Sequence, residues 1–431
     1  MPMSIDFQSR LFPHLSKIVD HYGTPFHIYD VRGLLENGTD LTRKFMGQFQ
    51  FKEFFAVKAN PNPEVLKLMR GMGFGFDCSS IPELVLATLV GAKPGDVMFT
   101  SNNTSTAEFQ AALDIGCIFN LDDITMIENV PEPFPRLICF RYNPGERRSG
   151  TSFIGVPVEA KYGVRHDQLI NAYRMAMARG ANRFGLHTMI ASNTLDCSYM
   201  IETVRMLLEV VEEVSAELGI KFKFINMGGG IGIPYHPNDA PFDLFQLAHE
   251  ARYLLHRFKE RNGYVPALYM ESGRAMTGPF GILVTRVLNR MSKHREYVGV
   301  DACMSSLMRP GMYRNSQIAE GAGYHHITVL NRYGHPKSGP TEVVDIVGSL
   351  CENCDKFAVR RELPMAEVDD LVVIHDTGAH GHAMGFIYNG RLRPAELMLC
   401  EDGSVRLIRR AETIEDYLRT VADLEPNVMQ L

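Results

Sequence analysis

The stretch Phe54-Phe55-Ala56-Val57-Lys58-Ala59-Asn60-Pro61 decides how the rest of the chain is read. Its apolar, aromatic first half predicts a buried strand, Phe54–Lys58, and the continuation Asn60-Pro61-Asn62-Pro63 predicts the start of a helix. A lysine at the carboxyl end of a buried strand is costly, because desolvation favours the neutral amine. An amine of lowered pKa is the nucleophile that condenses with carbonyl groups. A strand-end lysine that snorkels to solvent is the commoner arrangement. Lys58 therefore gains its significance from what surrounds it.

Outward from this stretch, strands and helices alternate. Seven more strands are expected at Phe74–Cys78, Val97–Thr100, Cys117–Leu121, Leu137–Tyr142, Phe184–Ile190, Phe222–Met227 and Ala267–Glu271. A helix should begin at Ser80, where Glu83 completes a capping-box pattern, and others should span Met200–Leu218 and Phe242–Arg261. Alternation of this kind predicts an α/β fold with a parallel sheet, and eight units fit a (β/α)8 barrel. Such barrels carry their chemistry at the carboxyl ends of the strands. The residues there are Lys58, Asp77, Thr100-Ser101, Asn120 with Asp122, Arg141 with Asn143, His187, Gly228 to Gly230, and Glu271 with Arg274. A doubly wound sheet would place G-x-G-x-x-G after its first strand, and the sequence has none there.

The texture changes after Pro279. Strands are expected at Gly281–Leu288, Tyr297–Val300, Val343–Val347, Leu371–Ile374, Glu396–Leu399 and Val405–Arg409, with short helices at Met304–Met308 and Ile414–Ala422, the latter capped by Thr413. The expected division is a barrel over 26–278 and a β-rich domain over 279–431. Residues 1–25, with a helix Phe12–His21 closed by Gly23, pack alongside the second domain.

The chain has 431 residues, 45% hydrophobic and 22% charged, an ordinary globular composition. A net charge of −6 gives no reason to expect nucleic acid or an anionic membrane as partner. No apolar run approaches the roughly 20 residues that span a bilayer, and Met1–Asp6 lacks the features of a signal peptide. Eight scattered cysteines suit a reducing cytoplasm.

Several local patterns carry chemistry. Asn226-Met227-Gly228-Gly229-Gly230-Ile231-Gly232 follows a strand, and consecutive glycines allow backbone N–H groups to approach an anion. The triphosphatase loop G-x-x-x-x-G-K-[ST] is absent. Glu271 could keep a pyridinium nitrogen protonated, and Arg274 could clamp a carboxylate. Cys351-Glu352-Asn353-Cys354 has no second C-x-x-C, so no metal site is expected, and Cys351 becomes a candidate proton donor with Glu352 as a substrate contact. Arg309 and Tyr313 flank a Pro-Gly turn and could face one pocket. Asp376-Thr377-Gly378-Ala379-His380-Gly381 and Tyr388-Asn389 form a last cluster, with glycines that allow close backbone approach.

Together these motifs resemble the fold-type III pyridoxal-phosphate decarboxylases, with their alanine-racemase-like barrels, and among them the diaminopimelate decarboxylases. The resemblance runs from about Phe26 to Tyr417 and includes Ala56 to Asn60, Gly75-Phe76-Asp77-Cys78-Ser79-Ser80, Met227 to Gly230, Glu271 to Arg274, Arg309 with Tyr313, Cys351-Glu352 and Tyr388-Asn389. It implies pyridoxal 5'-phosphate attached to Lys58. Gly228, Gly229, Gly230, Ser192 and Tyr388 would hold the phosphate, and Glu271 would pair with the ring nitrogen. Asp77, His187 and Gly273 would complete the cofactor set. Arg274, Arg309, Tyr313, Glu352 and Tyr388 would bind substrate, and Cys351 would return a proton after CO2 departs. The resemblance also implies a homodimer in which Cys351-Glu352 enters the neighbouring subunit's site.

The sequence departs from the pattern at three places. Met189 stands where the family has a ring-stacking histidine, His380 where it has tyrosine in Ala-Tyr-Gly, and Phe386-Ile387 where it has Ser-Asn. The expected reaction is decarboxylation of meso-diaminopimelate to L-lysine. D-lysine or D-ornithine is the alternative substrate, and a racemase or a non-catalytic cofactor-binding protein a weaker one.

Overall fold

The computed structural model describes residues 3–47, 49–151, 155–314 and 323–421. Eight parallel strands close into a ring: β1 Phe51–Ala56, β2 Gly75–Cys78, β3 Val97–Ser101, β4 Ile118–Leu121, β5 Leu137–Asn143, β6 Arg183–His187, β7 Phe222–Asn226 and β8 Ala267–Met270. Each pairs with the next, and β8 returns to β1 through Leu268↔Phe51 to Met270↔Glu53. Period-two alternation sorts the side chains. Phe54 joins Met98, Ile118, Cys139, Phe224 and Ala267 in one apolar cluster, whereas Phe55 joins the large core that includes the surrounding helices. Gly185 belongs to this arrangement, because a Cβ there would lie 2.1 Å from the Phe224 ring.

Strand β1 ends at Ala56, and Lys58 sits on a 3-10 turn, Val57–Ala59, rather than within an expected strand Phe54–Lys58. Pairing explains the early stop: the last β1 contact with β2 is Ala56↔Asp77, and beyond it no neighbour continues the ladder. The helix after β2 spans Ile81–Leu89, but Ser80 makes no side-chain cap. The Glu83 carboxylate instead accepts the N–H of Ser79, one residue before the cap, at 2.6 Å, so neither bond of the expected capping box forms.

The second layer is a nine-stranded mixed sheet. Phe26–Asp30, grouped with the barrel in the expected 26–278 division, pairs here, antiparallel to Gly281–Ser292 and parallel to Ala395–Leu399. The chain thus lays one strand of this sheet before entering the barrel. The strands Glu296–Val300, Ile327–Leu330, Thr341–Val347, Lys356–Pro364, Leu371–Ile374 and Val405–Arg409 complete it. Ile327–Leu330 and Lys356–Pro364 were not expected. Arg360 in the latter has φ +46, and this irregularity breaks the alternation that announces a strand. The N-terminal helix is two helices, Ile5–Leu11 and Leu15–Tyr22, joined by a 3-10 turn containing Pro13. Phe7, Leu11, Phe12 and Leu15 share a core with Phe26, Ile28, Ile282 and Leu397.

The expected helix Met304–Met308 is a turn, and the helix lies one step later at Arg309–Arg314. Pro310 accounts for the shift, since proline is favoured in a helix's first turn and disfavoured inside it. Near the C-terminus a helix spans Ile414–Leu418, and the Thr413 hydroxyl caps the Asp416 N–H. Ala422 lies outside the described residues. No described helix is long and apolar enough to cross a membrane.

Candidate active site at the barrel mouth

Lys58 Nζ lies 3.3 Å from Asp77 Oδ2, at the mouth where β1 and β2 end. The lysine side chain is half-exposed and Asp77 is buried. Asp77 and Glu271 hold the ammonium above its ordinary pKa, against the opposing effect of burial. This reverses the expectation of a lowered lysine pKa: two neighbouring carboxylates outweigh desolvation. Asp77 itself is pushed up, first by burial and then by repulsion from Glu271.

Glu271 follows β8 and faces β6 and β7. Its Oε2 lies 3.0 Å from His187 Nε2, and its Oε1 accepts Asn226 Nδ2–H at 2.7 Å. Burial opposes ionisation, but His187, Lys58 and Asn226 outweigh it and hold the carboxyl below its usual range. The barrel mouth therefore presents a buried carboxylate that stays ionised. Glu53 lies deeper, accepts the Ser272 N–H, and is pushed well up by burial and by Glu271.

The glycine run lies beside this carboxylate. A Cβ at Gly229 would sit 2.4 Å from the Glu271 carbonyl oxygen, and one at Gly230 2.5 Å from that of Ala191. Gly228 and Gly230 have φ of +70 and +100, which favours glycine there. The Gly228 N–H already donates to Asn226 Oδ1 at 2.9 Å, and the Gly229 N–H meets the Met189 sulfur at 3.2 Å. Of the expected anion nest, the Gly228 donor is thus engaged by an amide oxygen and the Gly229 donor by a weakly accepting thioether of its own chain. Met189 packs its thioether against the run, and Ser192 stands half-buried on the same loop after β6. Gly273 brings the Glu271 loop onto the lysine turn, where a Cβ would lie 2.7 Å from that of Ala59.

The two arginines converge. Arg309 is 2% exposed, and its guanidinium stacks 3.6 Å from the Tyr235 ring centre. Arg309 Nη1 donates to the Tyr324 carbonyl at 2.9 Å and lies 3.1 Å from His325 Nε2. Arg274 Nη1 donates to the Tyr235 hydroxyl. Every direct partner of Arg309 among the described residues is neutral, its Nε is buried without a hydrogen bond, and burial lowers its pKa to about 10. Tyr313, half-buried on the same short helix, is close enough to act on Arg309 electrostatically.

The segment Asp376–Gly381 docks on the lysine turn. The His380 N–H donates to the Ala59 carbonyl at 2.8 Å, and Asn60 Nδ2–H donates to the Gly378 carbonyl at 3.1 Å. His380 is thereby held near Lys58, Arg274 and Arg309, and burial with these three cations keeps its imidazole neutral. Cys351, Glu352 and Tyr388 form a separate, exposed cluster. Cys351 Sγ lies 3.3 Å from the Tyr388 hydroxyl, and its N–H donates to Asn389 Oδ1. The hydrogen bond with Cys351 pushes the Tyr388 phenol up to about 12.

Sequence reasoning missed Tyr235, His325 and Asn226 as working parts. Asn226 had a usable signal, since it precedes the glycine run directly. Tyr235 and His325 are 90 residues apart in number and meet only through folding, their rings 4.9 Å apart.

A glycine run that only glycine allows to pack against the Glu271 and Ala191 carbonyls, with the ionised Glu271 beside a lysine, suits a phosphorylated pyridine aldehyde. The comparisons with known proteins agree. A family model described as "Pyridoxal-dependent decarboxylase, pyridoxal binding domain" matches residues 34–278. Protein TabA of Pseudomonas amygdali pv. tabaci is 46% identical over 97% of this chain and 96% of its own. A diaminopimelate decarboxylase of Methanothermobacter thermautotrophicus is 35% identical over 94% and 92% of the two chains. The crystal structure of diaminopimelate decarboxylase from M. jannaschii with L-lysine superposes with a TM-score of 0.85 at 28% identity, covering 96% of this chain and 94% of that one.

Proposed function

Because the chain belongs to the pyridoxal-dependent decarboxylases, enzymes that use pyridoxal phosphate, we propose that it converts meso-diaminopimelate to L-lysine and CO2. Arg309 carries this reading. Among the described residues Arg309 forms no ion pair, a buried guanidinium in that state is costly, and a substrate carboxylate arriving there would relieve the cost. meso-Diaminopimelate has a carboxylate at each end, so one can meet Arg309 and Arg274 while the other faces Lys58. D-lysine and D-ornithine end in an ammonium with no carboxylate beside it, whereas the distal ammonium of meso-diaminopimelate arrives with a carboxylate for the two guanidinium groups.

Pyridoxal phosphate, when bound, supplies a conjugated ring that accepts the electron pair left at Cα as CO2 departs. Lys58 would hold it covalently. Glu271, kept ionised by His187 and Asn226, would keep a proton on the ring nitrogen. Asp77 would hold the lysine in place, Gly229, Gly230 and Ser192 would surround the phosphate, and Gly273 would keep the Glu271 loop close to the lysine turn, while Tyr388 stays with Cys351 in the exposed cluster. Tyr313 and Glu352 would contact the substrate. The Cys351 thiol would deliver the final proton to Cα. Its exposure supports a homodimer in which Cys351 and Glu352 of the partner subunit complete each site. All eight cysteines are free thiols, which supports a cytoplasmic location.

A second reading keeps the chemistry and changes the substrate to another amino acid. It is favoured by His380, which puts an imidazole beside Lys58 and the arginines. CO2 release from the cofactor-loaded enzyme separates the two. The panel is meso-diaminopimelate, D-lysine, D-ornithine, L-lysine, L-ornithine and L-arginine. Release from meso-diaminopimelate alone is the expected outcome, and faster release from D-lysine or D-ornithine would overturn it.

A further inference from the structure

We propose that Tyr235 is a positioning residue that couples Arg274 and Arg309 into a single carboxylate clamp, with His325 as its neutral support. The proposal rests on the reading that the arginine pair receives a distal carboxylate, and it adds the residue that makes two arginines act as one.

Two guanidinium groups drawn to one point repel each other, and each gains by turning away. Tyr235 opposes this with two different parts of one side chain. Its hydroxyl oxygen accepts from Arg274 Nη1, and the face of its ring lies 3.6 Å from the Arg309 guanidinium carbon. The Arg274 guanidinium carbon stands 5.6 Å from the same ring centre. A 4% exposed ring has little freedom to move, so it fixes both cations relative to one another.

His325 locks the far side. Its Nδ1 is 2.7 Å from the His375 carbonyl oxygen, which accepts only, so Nδ1 carries the proton. Nε2 then holds a lone pair and accepts from Arg309 Nη1 at 3.1 Å. Burial and the adjacent Arg309 keep the imidazole neutral. The His325 ring meets Tyr235 nearly edge-on, with an interplanar angle of 70°, and thereby buttresses the stacking surface. Among the described residues, the groups that touch and aim Arg309 are neutral, so its guanidinium forms no ion pair with them and is left for a ligand.

The experiment uses the full-length, cofactor-loaded enzyme and two probes with no amine that could condense with the cofactor, heptanedioate and 6-(trimethylammonio)hexanoate. Dissociation constants come from the change in cofactor absorbance, alongside kcat and KM for meso-diaminopimelate. Wild type should bind heptanedioate at least about tenfold more tightly. Tyr235→Phe keeps the ring face and loses the oxygen, and should cut that preference about threefold. Tyr235→Leu loses both and should cut it about tenfold or more. KM should rise in step, while kcat stays within about twofold because Tyr235 touches no reacting atom. An unchanged preference and KM in Tyr235→Leu would overturn the positioning role. Should that variant fold poorly, Tyr235→Phe decides alone: a raised KM at constant kcat supports the role, and no change overturns it. A wild-type enzyme with no preference for heptanedioate would instead overturn the distal-carboxylate reading on which the proposal stands.

Discussion

The barrel mouth and the Cys351–Tyr388 cluster both hold groups suited to acid–base chemistry, in opposite surroundings. At the mouth, Asp77, His187 and Glu271 are buried, and the two carboxyl groups are shifted by each other and by Lys58. At the cluster, Cys351 is exposed, and its thiol meets a half-exposed phenol at 3.3 Å. Low dielectric strengthens each interaction in the first and water weakens each in the second. One chain can therefore finish the electrostatics of a cofactor site within its own barrel. The proposed proton donor, Cys351, lies on open surface and would gain a dry environment only if another surface covered it.

The largest expected effect tests the mouth. Lys58→Ala should lower turnover by about 10⁴-fold or more and abolish the visible absorbance of bound cofactor. Retained turnover would break the comparison at its root. Next comes the cluster. Cys351→Ala should lower kcat by about 10²-fold to 10³-fold while leaving cofactor absorbance intact. Mixed and re-associated with Lys58→Ala, it should recover about a quarter of wild-type activity, since half of randomly formed dimers carry one intact composite site. No recovery would mean that Cys351 serves its own chain.

Arg309→Lys should raise KM for meso-diaminopimelate roughly thirtyfold with little change in kcat, because an ammonium cannot reproduce the planar fork or the stacking on Tyr235. A falling kcat at constant KM would place Arg309 with the reacting atoms instead. The smallest effect is on stability. Burial raises the Asp376 carboxyl to about 7, and its Oδ2 has no hydrogen bond. In the folded chain it keeps a proton that the unfolded chain releases above about pH 4. It therefore favours folding at acid pH, and that advantage is lost as pH rises from about 4 to about 7. The Tm of Asp376→Asn relative to wild type should accordingly be higher at pH 8 than at pH 5. A constant difference would show that Asp376 does not titrate in this range.

The barrel was legible because its signals are local. Phe54 and Phe55 alternate between the inner cluster and the helix-facing core, and Lys58, Asp77, His187 and Glu271 each lie within two residues of a strand's carboxyl end. The mixed sheet was less legible. Phe26–Asp30 is apolar enough to join either sheet, and only its register with Gly281–Val284 and Ala395–Leu399 decides between them. Met304–Met308 has the composition of a helix, yet Pro310 draws the helix start to Arg309. The pKa direction at Lys58 was misjudged for a related reason: burial can be read from neighbouring residues in sequence, but Asp77 and Glu271 become neighbours only across the barrel.

The sequence by itself determined which residues stand at the strand ends, and so the cofactor class, because strand length and spacing are local properties of the backbone. Tertiary structure alone decided what those residues do to one another. It kept Lys58 charged, gave Arg309 only neutral hydrogen-bond partners among the described residues, and brought Tyr235 and His325 against it. Charge interactions and ring stacking depend on distance in space, and the pattern along the chain carries no record of it.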